Sequence, residues 1–111
     1  MIIEKIIRDY IKDHLGVPVY CERPEQKPNK YIIVTKTAST ESDRLTNAHI
    51  SIQSNAETMY DAMLLNEQVI ELLDANDIPD IGCKIEGDYA YTDAATKTYR
   101  YQCAYNIYYY R

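Results

Sequence analysis

The spacing of apolar residues predicts an amphipathic helix at the start of the chain, over residues 2–14. Side chains of one helical stripe recur at intervals of three or four, with charged residues between them; they are Ile3, Ile7, Tyr10, Ile11 and His14. Gly16 and then Pro18 follow, in the order that is typical beyond a helix C-terminus. We therefore expect the helix to end here, with His14 beside the carbonyl groups of its last turn.

A second, longer helix is predicted over residues 55–75. Ser54 and Glu57 have the spacing of a capping box, and apolar residues then recur with helical spacing at Met59, Ala62, Leu65, Val69, Ile70 and Leu73. Tyr60 and Leu64 fall on the opposite side of this helix, among acidic residues. An exposed apolar pair on a charged helix face is a candidate for a protein contact.

The other apolar positions alternate along the chain or form short β-prone runs, which predicts strands. The predicted strands are residues 17–22, 31–37, 47–53, 83–88 and 99–110. Residues 31–37 have apolar side chains on both faces, as in a central strand. Residues 38–44 are polar and are predicted to form a loop.

These elements follow the order α-β-β-β-α-β-β and predict an α+β fold, in which a mostly antiparallel five-stranded sheet has two helices packed on one face. Residues 1–111 fit one such domain, because a chain of this length can bury roughly two-thirds of its unfolded surface. The first residues carry charges too early for a signal peptide, and no apolar run is long enough to span a membrane. A soluble, intracellular protein is therefore expected.

The aromatic residues are all tyrosines, since the chain has 12 Tyr but no Phe and no Trp. A tyrosine ring is apolar while its hydroxyl needs a partner, so this composition favours half-buried surfaces and subunit interfaces over a dry core. The three cysteines, Cys21, Cys83 and Cys103, have spacings that match neither a disulfide framework nor a CxxC metal site. We expect them to be reduced structural thiols.

The net charge of −5 arises in the middle of the chain. Residues 45–83 contain seven acids and no Lys or Arg, whereas residues 1–44 and residues 84–111 each have a net charge of +1. Tight nucleic-acid binding depends on basic residues that neutralise phosphates, and the chain has no basic stripe. We therefore expect no tight nucleic-acid binding.

The motifs of common catalytic and cofactor sites are missing from the sequence. Its three glycines form no phosphate-binding pattern, and His14 and His49 do not have metal-binding spacing. No local nucleophile motif surrounds Cys103, and nothing in the sequence provides a pocket for the loop acids Asp88 and Asp93. The sequence therefore predicts a protein that is not an enzyme and has no metal and no cofactor.

Three stretches of the chain are similar to a known family, the tail terminator (tail-completion) proteins of long-tailed bacteriophages and prophages. The strand-then-helix segment of that family resembles residues 49–73, HISIQSNAETMYDAMLLNEQVIELL. Its closing segment resembles residues 87–107, GDYAYTDAATKTYRYQCAYNI. The extended segment and proline turn before its second strand resemble residues 17–37, VPVYCERPEQKPNKYIIVTKT.

This resemblance implies a structural protein of the virion tail that assembles in the host cytoplasm. Such proteins are α+β domains that form a hexameric ring, which caps the tail tube, ends its polymerisation and docks onto the head connector. The implied partners are further copies of this chain, the tail tube protein and the head–tail connector protein, with no membrane and no tightly bound nucleic acid.

Three sets of residues are candidates for the contacts of such a ring. The subunit-interface candidates combine the exposed helix pair with a basic turn and are Tyr60, Leu64, Arg23, Lys27 and Lys30. The candidates for lining the lumen, or for facing a neighbour's basic surface, are Glu57, Asp61, Glu67 and Glu71. The predicted loop 89–98 supplies the candidates for docking onto the tube or connector, Tyr89, Tyr91 and Asp93.

Other functions remain compatible with the same residues. Another ring protein of the neck or tube could share these features, because such proteins have similar small folds. A small intracellular binding module could recruit a partner through Tyr60 and Leu64. An enzyme with catalytic residues dispersed along the chain is the third alternative.

Overall fold

In a computed structural model, which describes residues 2–26, 28–75, 78–90 and 99–110, the chain forms two helices and five strands. In chain order they are α1 (Ile3–Leu15), β1 (Val19–Tyr20), β2 (Tyr31–Ser42), β3 (Leu45–Ala56), α2 (Met59–Asp74), β4 (Ile81–Ala90) and β5 (Tyr99–Tyr110). The predicted α+β class and the predicted element order are both confirmed.

The strands form one sheet in the order β1-β2-β3-β5-β4. All neighbours are antiparallel except β1 and β2, which are parallel, so the sheet is mostly antiparallel as predicted. The prediction of a central strand at 31–37 is wrong, because β3 and β5 hold the middle and β1 flanks β2 only at Ile32 and Ile33. Ile33 is nevertheless buried on the second face, where Tyr20 pairs with it.

Both helices pack on the same face of the sheet, which we call the helix face. Ile3, Ile7 and Ile11 of α1 join one buried cluster with Leu65, Val69 and Leu73 of α2. The sheet contributes Ile50 and Ile52 of β3 and Cys103, Tyr105 and Ile107 of β5. Each fully buried Leu or Ile stabilises the fold by about 1.5–3 kcal/mol, so this cluster is the main source of stability. The other face of the sheet, which we call the open face, has no helix on it among the described residues.

The end of α1 agrees with the prediction. Gly16 takes a left-handed conformation with φ of 67°, and its N–H donates to the Lys12 carbonyl at 3.0 Å. A glycine adopts this conformation without the steric cost of a Cβ atom, so it ends the helix cleanly. His14 Nδ1 lies 2.9 Å from the Tyr10 carbonyl in the last turn, as expected.

The predicted loop at 38–44 is wrong, because β2 and β3 continue through most of it as a hairpin. Their two-residue connection is Asp43 and Arg44, with φ of 52° and 69°. Two positive φ values are typical of the type I′ turn that matches the twist of paired strands. The turn lacks the glycine that marks such hairpins in sequence, and residues 38–42 are polar because they are exposed on both faces.

The predicted capping box at Ser54 and Glu57 is also wrong. Ser54 is fully buried within β3, and the ladder between β3 and β5 continues to Ala56. Thr58 caps α2 instead, because its hydroxyl accepts a hydrogen bond from the Asp61 N–H at 3.1 Å. The helix therefore starts four residues later than predicted, since strand pairing extends the preceding strand.

Candidate functional site

The exposed face of α2 is the most prominent apolar feature outside the core. Ala62, Leu65, Val69 and Leu73 hold the opposite side of the helix against the sheet. As a consequence Tyr60, Met63 and Leu64 face outwards, with exposed fractions of 71 %, 45 % and 43 %. We call these three residues the α2 patch. The predicted exposure of Tyr60 and Leu64 is confirmed, and Met63 is an addition that sequence reasoning missed.

Met63 could have been identified from its spacing. It lies three residues after Tyr60 and one before Leu64, so it shares their side of the helix. Glu67 and Glu71 continue the same face by one and two further turns, and both are exposed. The α2 patch is therefore bordered by carboxylates towards the helix C-terminus.

The other two acidic candidates have local roles at the helix start. Asp61 is half-buried in the first turn, where its backbone N–H bonds to Thr58. A carboxylate in this position is favoured by the positive end of the helix dipole. Glu57 is exposed but precedes the helix, so it does not lie on the face predicted for it.

The basic turn lies at the β1 margin of the sheet. It connects β1 to β2, and its residues Arg23 and Lys30 are exposed, whereas Lys27 lies outside the described residues. Strand β1 forms one edge of the sheet, while α2 packs on β3, β5 and β4 towards the other edge. The two parts of the candidate subunit interface are therefore separate surfaces of the protomer, as a head-to-tail contact between identical copies requires.

The docking candidates are only partly described. Tyr89 belongs to β4 rather than to a loop, because the strand extends to Ala90 and pairs Tyr89 with Gln102 on the open face. Its side chain is about half exposed. Tyr91 and Asp93 lie outside the described residues, so the prediction for residues 89–98 is corrected at its first two positions.

Polar side chains line the middle of the open face. Asn106 Nδ2 donates to the Glu86 carboxylate, and His49 Nδ1 lies 3.5 Å from the second oxygen of that carboxylate. Cys103 points to the helix face, so His49 and Cys103 are on opposite sides of the sheet and do not form a nucleophile–base pair. Within the described ranges, no group of three or more His, Cys, Asp or Glu side chains could hold a metal ion.

The helix face contains a buried polar contact that the sequence pattern did not reveal. Asn66 falls within the buried side of α2, and its Nδ2 donates to Asp88 Oδ2 at 3.4 Å. Nearby, the fully buried Tyr105 donates its hydroxyl hydrogen bond to Asp74 at 3.2 Å. These contacts connect α2 to β4 and β5, so they fix the orientation in which α2 presents its patch.

Two of the three thiols are poor nucleophiles. Burial, followed by the negative charge of Asp88, raises the pKa of Cys103 to about 12. Burial, followed by the charge of Asp74, raises the pKa of Cys83 to about 11. Because the thiolate is the reactive form, both side chains stay protonated and unreactive near neutral pH. Cys21 is exposed.

No family model matches this chain, and a search of characterised proteins finds no significant relative. None of the helices in the described part of the chain is long and apolar enough to cross a membrane.

Proposed function

We propose that this protein is a structural component of a phage or prophage tail that forms a ring, caps the tail tube, ends its polymerisation and joins the tail to the head connector. One observation supports this proposal above the others. The α2 patch and the exposed basic turn with Arg23 and Lys30 are separate surfaces of one protomer, since α2 packs over β3, β5 and β4 and the turn lies at the β1 margin of the sheet. Complementary surfaces in this arrangement produce closed rings when the rotation between copies closes.

The α2 patch provides the apolar part of the subunit contact. Burying Leu64 against a neighbour would stabilise each interface by roughly 1.5–3 kcal/mol. The exposed carboxylates Glu67 and Glu71 lie next to it and complement the basic turn of the next copy. Charges at the rim of an interface contribute mainly orientation and association rate.

Assembly state and tube capping test this proposal directly. The purified protein is expected to sediment as a ring, a hexamer by the resemblance to tail terminators, at high concentration or in the presence of tail tubes. Substoichiometric addition to the polymerising tube protein of the same phage should shorten the tubes seen in electron micrographs, compared with tubes grown without it. A protein that stays monomeric and leaves tube length unchanged would contradict the proposal and favour a small binding module.

The acids that do not contact a neighbour line the lumen of the ring in this proposal. Carboxylates there repel phosphates over about 8 Å at physiological salt, which keeps DNA mobile during passage. We expect filter binding at that salt to show no submicromolar affinity for duplex DNA. The variant Glu57→Lys, at an exposed acid outside the proposed subunit contact, should bind DNA more tightly, with a steeper salt dependence. Submicromolar binding by the unchanged protein would contradict a repulsive lumen.

A further inference from the structure

One half of β2 lies at the sheet edge, where the described part of the chain places no strand on its outer side. Strand β1 pairs with β2 only at Ile32 and Ile33, and beyond them the described residues pair β2 with β3 alone. Every residue from Thr35 to Ser42 is exposed, and we call this segment the β2 edge. Its side chains are mostly small and polar, so burial within the protomer contributes little to keeping it extended.

The opposite margin of the sheet has a similar segment. Strand β4 pairs with β5 on one side, and every residue from Lys84 to Ala90 is exposed; we call this segment the β4 edge. An exposed edge offers unpaired N–H and C=O groups to another strand. Among the described residues the protomer therefore has two open edges, and residues 35–38 of one share rows of the sheet with residues 84–87 of the other.

The β2 and β4 edges run in opposite directions, so they can pair as antiparallel strands. Strands β2, β3, β5 and β4 are neighbours in that order and every pair is antiparallel, so β2 and β4 run in opposite directions. If β4 of one copy lies beside β2 of the next, the same alternation continues. The contact is then an antiparallel ladder, like those within the protomer.

The residues at the two edges are also complementary. The ladders align Ala38 and Lys84 in one row across the sheet, through His49 and Asn106. A rotation about an axis parallel to the strands leaves the position of each residue along that axis unchanged. It therefore brings Lys84 of one copy near Ala38 of the next copy. On the helix face, Lys36 of β2 comes two rows from Asp88 of β4, which is a diagonal neighbour across antiparallel strands.

Both edges are interrupted by a register shift, between Lys36 and Ala38 in β2 and between Ile85 and Gly87 in β4. Bulges discourage pairing with arbitrary strands, because they twist the edge and break a regular ladder. The two bulges lie at nearly the same position along the strands, so a ladder between β2 and β4 can accommodate both. This match favours pairing of the two edges with each other over pairing with other strands.

From these observations we infer that β4 of one copy pairs with the β2 edge of the next copy, so that the sheet continues from protomer to protomer. The inference rests on the proposed function, since it specifies the strands that join neighbours in the ring. The α2 patch lies towards the β4 margin of the sheet, and the basic turn lies at the β1 margin. The neighbour that pairs with β4 is therefore also the neighbour that contacts the α2 patch through its basic turn.

Cross-linking between two variants that each carry one introduced cysteine tests the inference. Ala38→Cys and Lys84→Cys are each made in the full chain with Cys21→Ser, because Cys83 and Cys103 are protonated near neutral pH and react slowly. A bismaleimide spanning about 10 Å reaches opposed residues and diagonal ones, whose Cβ atoms lie about 5 Å and 7–8 Å apart. The variants are mixed as dilute monomers, concentrated and then cross-linked.

We expect at least about tenfold more cross-linked dimer from the mixture than from either variant alone, because neighbours within an assembly meet at a high effective concentration. Cross-links from Ala38→Cys alone would reveal a two-fold contact between β2 edges and overturn the inference. Rings that form without any cross-link would also overturn it, while leaving the proposed function intact. The absence of both rings and cross-links would overturn the two together.

Discussion

Leu64→Asp is expected to prevent ring formation and to leave the fold intact. Leu64 is 43 % exposed on α2, so the monomer already keeps it in contact with water. Replacing this partly buried helical Leu by Asp should lower the free energy of unfolding by about 1–2 kcal/mol, which is too little to unfold a domain of ordinary stability. Within the subunit contact the new carboxylate would be desolvated beside Glu67, which disfavours association. Sedimentation velocity and urea unfolding measure the two effects separately.

The adjacent residue provides a matched control. Leu65 is 3 % exposed and packs in the core, so Leu65→Asp places a carboxylate among apolar side chains. That change should destabilise the monomer by at least about 3 kcal/mol, and the chain should be largely unfolded. If Leu64→Asp unfolds the protein as Leu65→Asp does, Leu64 belongs to the core. If Leu64→Asp forms normal rings, the α2 patch is not the interface.

The protein should lose stability at alkaline pH. Burial raises the pKa of Cys103 from 9.0 to about 12, and burial together with the nearby Cys103 and Asp74 raises the pKa of Tyr105 above its usual 10.0. These groups hold their protons more tightly in the folded state than in the unfolded chain. The stability that these two groups contribute to the fold is therefore complete below their unfolded-state pKa values. It is lost as the pH rises towards their folded-state pKa values. Between about pH 7 and about pH 10.5, Cys103 alone should lower the free energy of unfolding by about 2 kcal/mol.

Urea unfolding at a series of pH values measures this loss, and two variants identify its source. Cys103→Ala removes the thiol, and Tyr105→Phe removes the hydroxyl that bonds to Asp74 while keeping the buried ring. Each variant should be less stable than the unchanged protein at neutral pH but should show a shallower alkaline decline. An identical decline in both variants would show that other groups determine it.

The spacing of apolar residues is sufficient to predict which elements form and which of their sides are buried. The helical spacing of Ala62, Leu65, Val69 and Leu73 is sufficient to orient α2, because any sheet that buries this stripe exposes Tyr60 and Leu64. The alternation along β5 likewise assigns Cys103, Tyr105, Ile107 and Tyr109 to the buried face. Half of the candidate interface was therefore predictable from periodicity alone.

Element boundaries depended on pairing between strands. Residues 38–42 and Ser54 have polar or helix-capping signals locally, yet each lies in a strand because a partner strand satisfies its backbone. Pairing with β5 likewise extends β4 to Tyr89 and Ala90, which the sequence pattern assigned to a loop. The partners of Ser54, Tyr89 and Ala90 lie more than ten positions away in sequence and have no signal in a local window, whereas residues 38–42 pair across a turn that lacks the usual glycine.

Strand order was decided only by the tertiary structure, and with it the arrangement of the candidate surfaces. The insertion of β5 between β3 and β4 makes β4 one margin of the sheet and leaves β1 and β2 at the other. That order places the basic turn at the β1 margin and α2 over β3, β5 and β4, and among the described residues it leaves the β2 and β4 edges open. Apolar alternation specifies which face of a strand is buried, but it does not specify which strand lies beside it, because all strands of one sheet bury the same kind of face.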